Sequence, residues 1–355
     1  MKYTKAFASG ILTILICLSS NAMAVPFVFI NGTVTDADEV NENFASMFRG
    51  DGSAGDIAID STNDDWRDVN EIPANPNFAN FLIPAGVTLT VPAGTTIRCS
   101  GTFTNEGTIN VSGGAAHATT GFASTTLSAS SGPVTNAHPG DTPRSATTGQ
   151  FDNNAIAVVK NLLGGLGGSA IPPAVARTSF AQFRIGGGAA GGNTTTNFGG
   201  GLIKVYCGGA IVNTGNINAT GFSGGPTGGG GGGGIVVLAS QASIDNVAGT
   251  IDVSGGAGGA ANGGFFGSSG GGGGGIVVMI SPVAPVVGTE IVTGGAGGAA
   301  GTAVTQSRLA GSGGGGSGGN GGNGGSVIGT AANAGAAGGA GYVITMTADP
   351  SVLVR

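Results

Sequence analysis

The chain carries little charge and has no cluster of positive charge. Only 8% of its 355 residues are charged, and the formal net charge at pH 7 is -6. Proteins that bind nucleic acid neutralise phosphates with clustered lysine and arginine side chains. The sequence therefore argues against a nucleic-acid partner.

Long hydrophobic runs are also missing, apart from one short run near the start. Residues 11–18 are apolar, follow Lys2 and Lys5, and precede Ala-Met-Ala at 22–24. This order is typical of a secretory signal peptide, and the run is too short to span a bilayer. We expect residues 1–24 to be removed and the mature chain to be secreted or held at the cell surface, with no transmembrane segment.

Cysteine and histidine are scarce. Beyond the predicted signal peptide the cysteines are Cys99 and Cys207, and the two histidines, His117 and His138, lie in a low-complexity segment. In an oxidising compartment two thiols can pair, but cysteine is also often buried on its own. The sequence leaves open a disulfide between Cys99 and Cys207 or two separate buried cysteines. It predicts no metal site and no cofactor.

Glycine, by contrast, is abundant. The chain has 76 glycines, whereas average usage is about 7%. The mean hydropathy of +0.29 is not typical of a disordered chain. Glycine-rich runs alternate with the apolar segments 235–240, 276–281 and 342–347. A recurring unit of this kind indicates a repeat architecture.

Short strands with alternating polar and apolar residues begin at residue 81. Apolar and polar side chains alternate in 87–91 and again in 108–111, with glycines between the strands. Period two with one buried face is the strand pattern, and Asn-Gly or Asp-Gly hairpin turns are rare here. The sequence predicts an all-β fold, a parallel β-solenoid.

The glycine runs have a second period, of three residues. Ser317, Asn320, Asn323 and Ser326 are separated by Gly-Gly pairs. Three residues per turn is the period of polyproline-II helices, and glycine chains in that conformation can pack side by side because no Cβ separates them. We expect ordered polyglycine-II-like excursions from the solenoid.

Two helices are expected, a short N-terminal helix over 35–50 and a second helix over 152–163. Composition divides the chain into six segments. The segments are a signal peptide (1–24), an N-terminal strand and helix (25–50), an acidic loop (51–80), the first solenoid rungs (81–112), a low-complexity excursion (113–199) and glycine-rich solenoid repeats (200–355).

The acidic loop is a candidate calcium site, because carboxylates are preferred Ca²⁺ ligands. The spacing does not match an EF-hand loop, and a solvated polar loop is the alternative. The acidic residues are Asp51, Asp56, Asp60, Asp64, Asp65, Asp68 and Glu71.

No catalytic signature stands out, so we expect a protein that is not an enzyme. The alternative is a carbohydrate-active solenoid enzyme, which needs clustered carboxylates. The carboxylates on the predicted rungs, Glu106, Asp245, Asp252 and Glu290, are far apart in the sequence.

Two further interpretations concern binding. Outward polar positions could form a face that binds carbohydrate or ice through ordered water: Thr88, Thr90, Thr102, Thr104, Thr108, Asn110, Asn216 and Asn218. The apolar start of the mature chain could pair with a neighbouring copy, as in strand-addition fibres, or form the chain's own first rung. Its apolar residues are Val25, Phe27, Val28, Phe29 and Ile30.

The alternation of glycine runs with short apolar strands resembles the polyglycine-II sandwich of T-even phage tail-tip adhesins. The rungs PAGVTLTV, NEGTINVS and GTIDVSGG are similar to those of secreted bacterial β-solenoid surface proteins and adhesins. The resemblance covers residues 81–112 and 200–347. It implies a surface or adhesive role and carries over no individual binding residue. As partners we expect further copies of the chain, in an oligomer or fibre, or surface glycans.

Overall fold

The structure is a computed structural model. It describes residues 46–113, 144–145, 162–183, 186–190, 198–225, 228–261, 267–301, 311–328 and 331–352. Its strands are, in chain order, β1 (Ile57–Ala58), β2 (Asn77–Phe78), β3 (Phe81–Ile83), β4 (Thr88–Val91), β5 (Thr95–Cys99), β6 (Phe103–Asn105), β7 (Thr108–Val111), β8 (Arg144–Ser145), β9 (Leu162–Leu163), β10 (Leu202–Cys207), β11 (Ile211–Asn213), β12 (Asn216–Asn218), β13 (Ile235–Ser240), β14 (Ile244–Asp245), β15 (Thr250–Asp252), β16 (Ile276–Ser281), β17 (Thr289–Ile291), β18 (Val327–Ile328), β19 (Ala331–Ala332) and β20 (Tyr342–Thr347). Helix α1 spans Pro173–Ser179 and is followed by a 3-10 turn at Phe180–Gln182, with another at Pro350–Val352.

Three parallel sheets wrap around one core, with one strand of each turn in each sheet. The first sheet has the order β1-β3-β6-β11-β14, the second β17-β15-β12-β7-β4 and the third β2-β5-β10-β13-β16-β20. Strands of successive turns pair in parallel register throughout. The predicted all-β parallel solenoid is therefore confirmed. A small antiparallel sheet, β19-β18-β9-β8, lies apart from these three.

Alternating residues explain the first and second sheets. In the second sheet Leu89, Ile109, Ile217 and Ile251 stack in register, and each is 0% exposed. Their neighbours along the strands are polar and face outward. Period two therefore places one face in the core and the other in solvent.

The third sheet is buried on both faces. Every residue of β10, β13 and β16 is buried. The inner face lines the solenoid core, and the outer face packs against Phe48, Ile171 and Phe180. Continuous apolar runs such as IVVLAS are the sequence form of a sheet that is covered on both sides.

The glycine-rich segments all leave the solenoid between the second and third sheets. They connect β7 to β10, β12 to β13, β15 to β16 and β17 to β20. Because strands of successive turns stack, these excursions start and return beside one another. They can therefore pack into a common bundle.

Residues 267–275 show how that bundle is bonded. The N–H groups of 269–274 donate in turn to three neighbouring runs, at 2.8–2.9 Å, and the order repeats every third residue. The three acceptor runs are residues 254–261, 311–317 and 333–341. The carbonyls of the same stretch accept from three more runs, residues 228–234, 292–301 and 319–325. Each run is thus a threefold helix bonded to its neighbours, as the period-three spacing predicted.

Glycine is required where these runs touch. A Cβ on Gly321 would overlap the carbonyl oxygen of Gly314, and one on Gly322 would overlap that of Ala336. The third position of the spacing faces outward at Asn320 and Asn323, which are exposed. Glycine therefore lies where these runs touch, and the asparagines lie where the surface leaves room for a side chain, whereas Ser317 of the same spacing is buried.

Some expected boundaries differ from the structure. The short helix that the structure describes, α1, is not N-terminal; of the predicted helix over 35–50, residues 46–49 are helical and the rest lies outside the described residues. Of the predicted helix over 152–163, Leu162 and Leu163 form β9, because β9 pairs with β18 and with β8, and the rest lies outside the described residues. The solenoid begins at Ile57 rather than residue 81, since β1 pairs with β3.

Candidate functional site

The two cysteines face each other inside the solenoid. Cys99 ends β5 and Cys207 ends β10, and they are register partners on neighbouring parallel strands. Their sulfur atoms are 2.09 Å apart and form a disulfide. Both residues are 0% exposed. The structure thus contains the disulfide alternative, and the bond ties two successive turns together through the core.

A half-buried cation and a buried hydroxyl lie on the outer face of the third sheet. Arg98 lies over the ring of Tyr206, with its guanidinium carbon 5.6 Å from the ring centroid, and Phe48 stacks on the same ring at 5.1 Å. Among the residues that the structure describes, neither Arg98 Nε nor Tyr206 Oη has a hydrogen-bond partner. Burial raises the pKa of Tyr206 to about 12 and lowers the pKa of Arg98. A buried polar group without a hydrogen-bond partner lowers the stability of the fold, so the Arg98–Tyr206 pair is locally destabilising.

A ladder of amide side chains runs along the solenoid at the end of the first sheet. Asn105 donates to Asn213 at 2.6 Å, Asn213 donates to Asn246 at 2.5 Å, and Asn246 donates to Glu290 at 2.8 Å. The three asparagines are at most 1% exposed. The ladder joins four successive turns. It begins at Asn105 because the preceding rung has Ile83 at this position.

The asparagine ladder was not predicted from the sequence. The signal that could have found it is an asparagine that recurs two residues after an apolar one, as in FTN, IVN and IDN. These triplets end at residues 105, 213 and 246. Repetition of a polar residue at one inward position indicates a stacked hydrogen-bonded column.

The acidic loop uses its carboxylates to form turns. Asp60 accepts from the backbone N–H and the hydroxyl of Thr62, and Asp51 accepts the same pair of bonds from Ser53. Asp65 pairs with Arg67 at 2.6 Å. The Thr62 bonds lower the pKa of Asp60, and the Arg67 bond lowers that of Asp65. Short local bonds of this type are typical of Asx turns. Within the described residues no group of three acidic, histidine or cysteine side chains is placed to hold a metal ion.

Outward residues of the second sheet, polar except for Ile291, form two columns. They run Thr88, Thr108, Asn216, Thr250, Thr289 and Thr90, Asn110, Asn218, Asp252, Ile291. Neighbours within a column are about 4.8 Å apart, and the columns are about 7 Å apart. Six of the eight expected positions share this face, which we call the polar ladder face. The other two do not: Thr104 lies in the first sheet, and Thr102 bonds to Asn80.

The carboxylates considered for catalysis are not brought together. Asp245 lies on β14 in the first sheet, whereas Asp252 lies on β15 in the second. Each accepts a backbone N–H two residues ahead, from Val247 and Ser254. Glu290 ends the asparagine ladder. The geometry therefore assigns these groups to turns and stacking.

Two sets of expected residues lie outside the described ranges. They are the apolar strand with Val25, Phe27, Val28, Phe29 and Ile30, and the histidines His117 and His138.

Comparison with known proteins gives no relative for this chain. No protein-family model, no curated protein and no solved structure matches it. In the part of the chain that the structure describes, no helix has the length and apolar character needed to cross a membrane.

Proposed function

We propose that this protein is exported and serves a structural or adhesive role at the cell surface or outside the cell. The observation that carries the proposal is the buried Cys99–Cys207 disulfide in a hydrogen-bonded scaffold. Disulfides persist in oxidising compartments, and the start of the chain has the pattern of a secretory signal peptide. The stacked rungs and the glycine bundle hold outward side chains in fixed positions, which suits a scaffold that presents a surface.

Export and adhesion are tested separately. Expression of the full chain followed by fractionation and N-terminal sequencing should find a mature protein that starts at Val25 in an extracytoplasmic or surface fraction, with the disulfide formed. A variant with Lys2→Glu and Lys5→Glu should be retained. A full-length product that stays in the cytoplasm with free thiols would overturn the export proposal.

The purified mature chain should then be applied to a glycan array and to cell surfaces. Binding without turnover of the bound polysaccharide supports an adhesive role. Release of shortened saccharides, abolished by Asp245→Asn or Asp252→Asn, would favour the carbohydrate-active enzyme instead.

A second candidate function is carbohydrate or ice binding by the polar ladder face. The observation that favours it is the register of the two columns, which repeats polar groups at the strand spacing over several rungs. Asn110→Lys with Asn218→Lys should abolish glycan binding or thermal hysteresis. Thr104→Lys, on the first sheet, is the matched control and should leave both unchanged.

Self-association belongs to the same proposal. Residues 25–30 would add to an open rung of a neighbouring copy and so build fibres or oligomers. Light scattering on the mature chain and on a chain that starts at Asn31 should show loss of the large species in the shorter chain. If both are monomeric and the shorter chain is less stable, residues 25–30 belong to the chain's own fold.

A further inference from the structure

The two ends of the solenoid are built differently. At the N-terminal end Trp66 covers the core, with its ring 5.9 Å from that of Phe81 and 6.4 Å from that of Phe78. The same loop extends the edge of the second sheet, because Trp66 donates to the carbonyl of Thr90 and Thr90 donates to that of Asp64. This end is therefore closed by an aromatic side chain and by additional backbone pairing.

The C-terminal end carries an unpaired strand edge. Tyr342 and Ala348 donate to carbonyls of the preceding turn, so the alternate residues Val343, Thr345 and Thr347 point their N–H and C=O groups to the opposite edge. Within the described ranges no strand pairs with that edge. Thr345 and Thr347 are exposed. A six-residue strand with a free edge is a ready template for pairing with another chain.

Exposed apolar side chains also lie at this end of the solenoid. Val283, Val286 and Val287 are 60%, 47% and 47% exposed. They lie in the connection between β16 and β17, which belongs to the last complete turn, and Val286 pairs with Asp245 as the last bridge of the first sheet. Exposed apolar residues at the same end as a free strand edge indicate a contact surface.

Charge distinguishes the ends as well. The acidic residues of the loop 51–71 lie at the N-terminal end. From residue 276 to 352 the charged residues within the described ranges are Glu290 and Asp349, and Glu290 accepts bonds from Asn246 and from the backbone of Gly288. Two N-terminal ends would repel each other because both are acidic. Two C-terminal ends can approach without bringing clusters of like charge together.

We infer that the C-terminal end of the solenoid binds the same end of a second copy of this chain. Two copies related by a twofold axis bring their β20 strands together antiparallel, and the contact is self-complementary and closed. The exposed valines of each copy are then covered by the other. Head-to-tail stacking would instead place this edge on the end that Trp66 has closed. This contact is distinct from the strand addition proposed for residues 25–30, because it joins two C-terminal ends and closes at a dimer, and it does not depend on export or adhesion.

Sedimentation velocity on the purified mature chain, over a range of concentrations, tests this contact. We expect a monomer–dimer equilibrium. Thr345→Pro removes an N–H on the free edge and leaves the bonds to β16 in place, and proline is tolerated at such edges. Its dimer dissociation constant should rise at least tenfold. Val286→Lys with Val287→Lys should have the same effect by placing like charges in the contact.

The matched control is Val69→Lys, because Val69 is also highly exposed, at 79%, but lies at the opposite end. It should dimerise as the unchanged protein does. Circular dichroism on each variant establishes that it is folded. A monomer at all concentrations, or equal dimerisation by the lysine variants at both ends, would overturn the inference. Oligomers that survive Thr345→Pro but vanish when the chain starts at Asn31 would assign the contact to residues 25–30 instead.

Discussion

Cys99 and Cys207 are register partners, and the disulfide between them lies inside the core. This bond closes a loop with a sequence separation of 108 residues. A loop of this length restricts the unfolded chain strongly, which corresponds to roughly 4–5 kcal/mol in the chain-entropy model. Cys99→Ala with Cys207→Ala should therefore lower the free energy of unfolding by about 2–5 kcal/mol.

Urea denaturation measures this loss. The wild-type protein, reduced in denaturant and then refolded under reducing conditions, is the control and should unfold at nearly the same urea concentration as the double variant. Equal midpoints for the oxidised protein and the variant would show that the bond does not stabilise the fold.

Substitutions in the glycine bundle should be costly only where runs meet. Gly321→Ala with Gly322→Ala places two Cβ atoms against the carbonyls of Gly314 and Ala336, and overpacking of this kind costs about 1–3 kcal/mol per site. We expect a clear drop in the melting temperature. Gly225→Ala is the matched control, because no atom lies within 4 Å of its Cβ position.

The control variant should be neutral or slightly more stable, since alanine reduces the freedom of the unfolded chain. Amide hydrogen exchange gives an independent readout: the N–H groups of 269–274 should be protected in the unchanged protein. Random-coil exchange there, together with a neutral double variant, would disprove the bonded bundle.

The buried Tyr206 and the half-buried Tyr342 should respond differently to loss of their hydroxyl. Tyr342 Oη donates to the carbonyl of Ile171 at 2.8 Å, so Tyr342→Phe should cost about 1 kcal/mol. Tyr206 Oη has no hydrogen-bond partner within the described ranges, so Tyr206→Phe should be neutral or stabilising at pH 7. Chemical denaturation of both variants tests the difference, and equal losses would contradict it.

The Tyr206 hydroxyl makes the stability of the fold depend on pH. Burial raises the pKa of Tyr206 from 10.0 to about 12, so the folded state holds its proton more tightly than the unfolded state. The stability that follows is complete below pH 10 and is lost as the pH rises through 12. Denaturation of the unchanged protein over this window should show a steeper loss than Tyr206→Phe, because the variant lacks that ionisation. Identical slopes would place the hydroxyl in solvent.

The asparagine ladder should depend most on its middle members. Asn213 both accepts from Asn105 and donates to Asn246, so Asn213→Ala leaves buried polar atoms without partners and should cost about 1–3 kcal/mol. Asn218→Ala removes an amide on the solvent side that bonds to Asn110 at 3.1 Å. It is the control and should change stability by less than about 0.5 kcal/mol. Equal losses of stability in the two variants would show that the buried ladder contributes no more to stability than the exposed amide bond does.

The fold could be predicted from local patterns because each pattern reports one physical constraint. Period two in 87–91 and 108–111 reports one buried strand face, and period three in the glycine runs reports bundled threefold helices. The extension of the solenoid to Ile57 could not be predicted, since β1 has two residues and its pairing depends on the backbone of Leu82.

Side-chain partnerships were harder to predict than the fold. The disulfide was left open because sequence spacing does not reveal that β5 and β10 are neighbours; the long excursion between them hides it. The polar ladder face was predicted in part, and Thr104 was wrongly included because alternation does not tell which of three sheets a strand joins. The asparagine ladder could not be predicted from single residues, because each asparagine taken by itself is typical of the end of a strand.

The bundle also sets an order of events in time. Residues 311–317, from the last excursion, bond to residues 164–170 and 186–190 from the first. The rungs can be added one after another as the chain emerges, but the early glycine runs cannot reach their final partners until the last excursion has been synthesised. Such distant contacts close slowly. Until that excursion is present, the early glycine segments therefore lack some of the partners that they have in the folded chain.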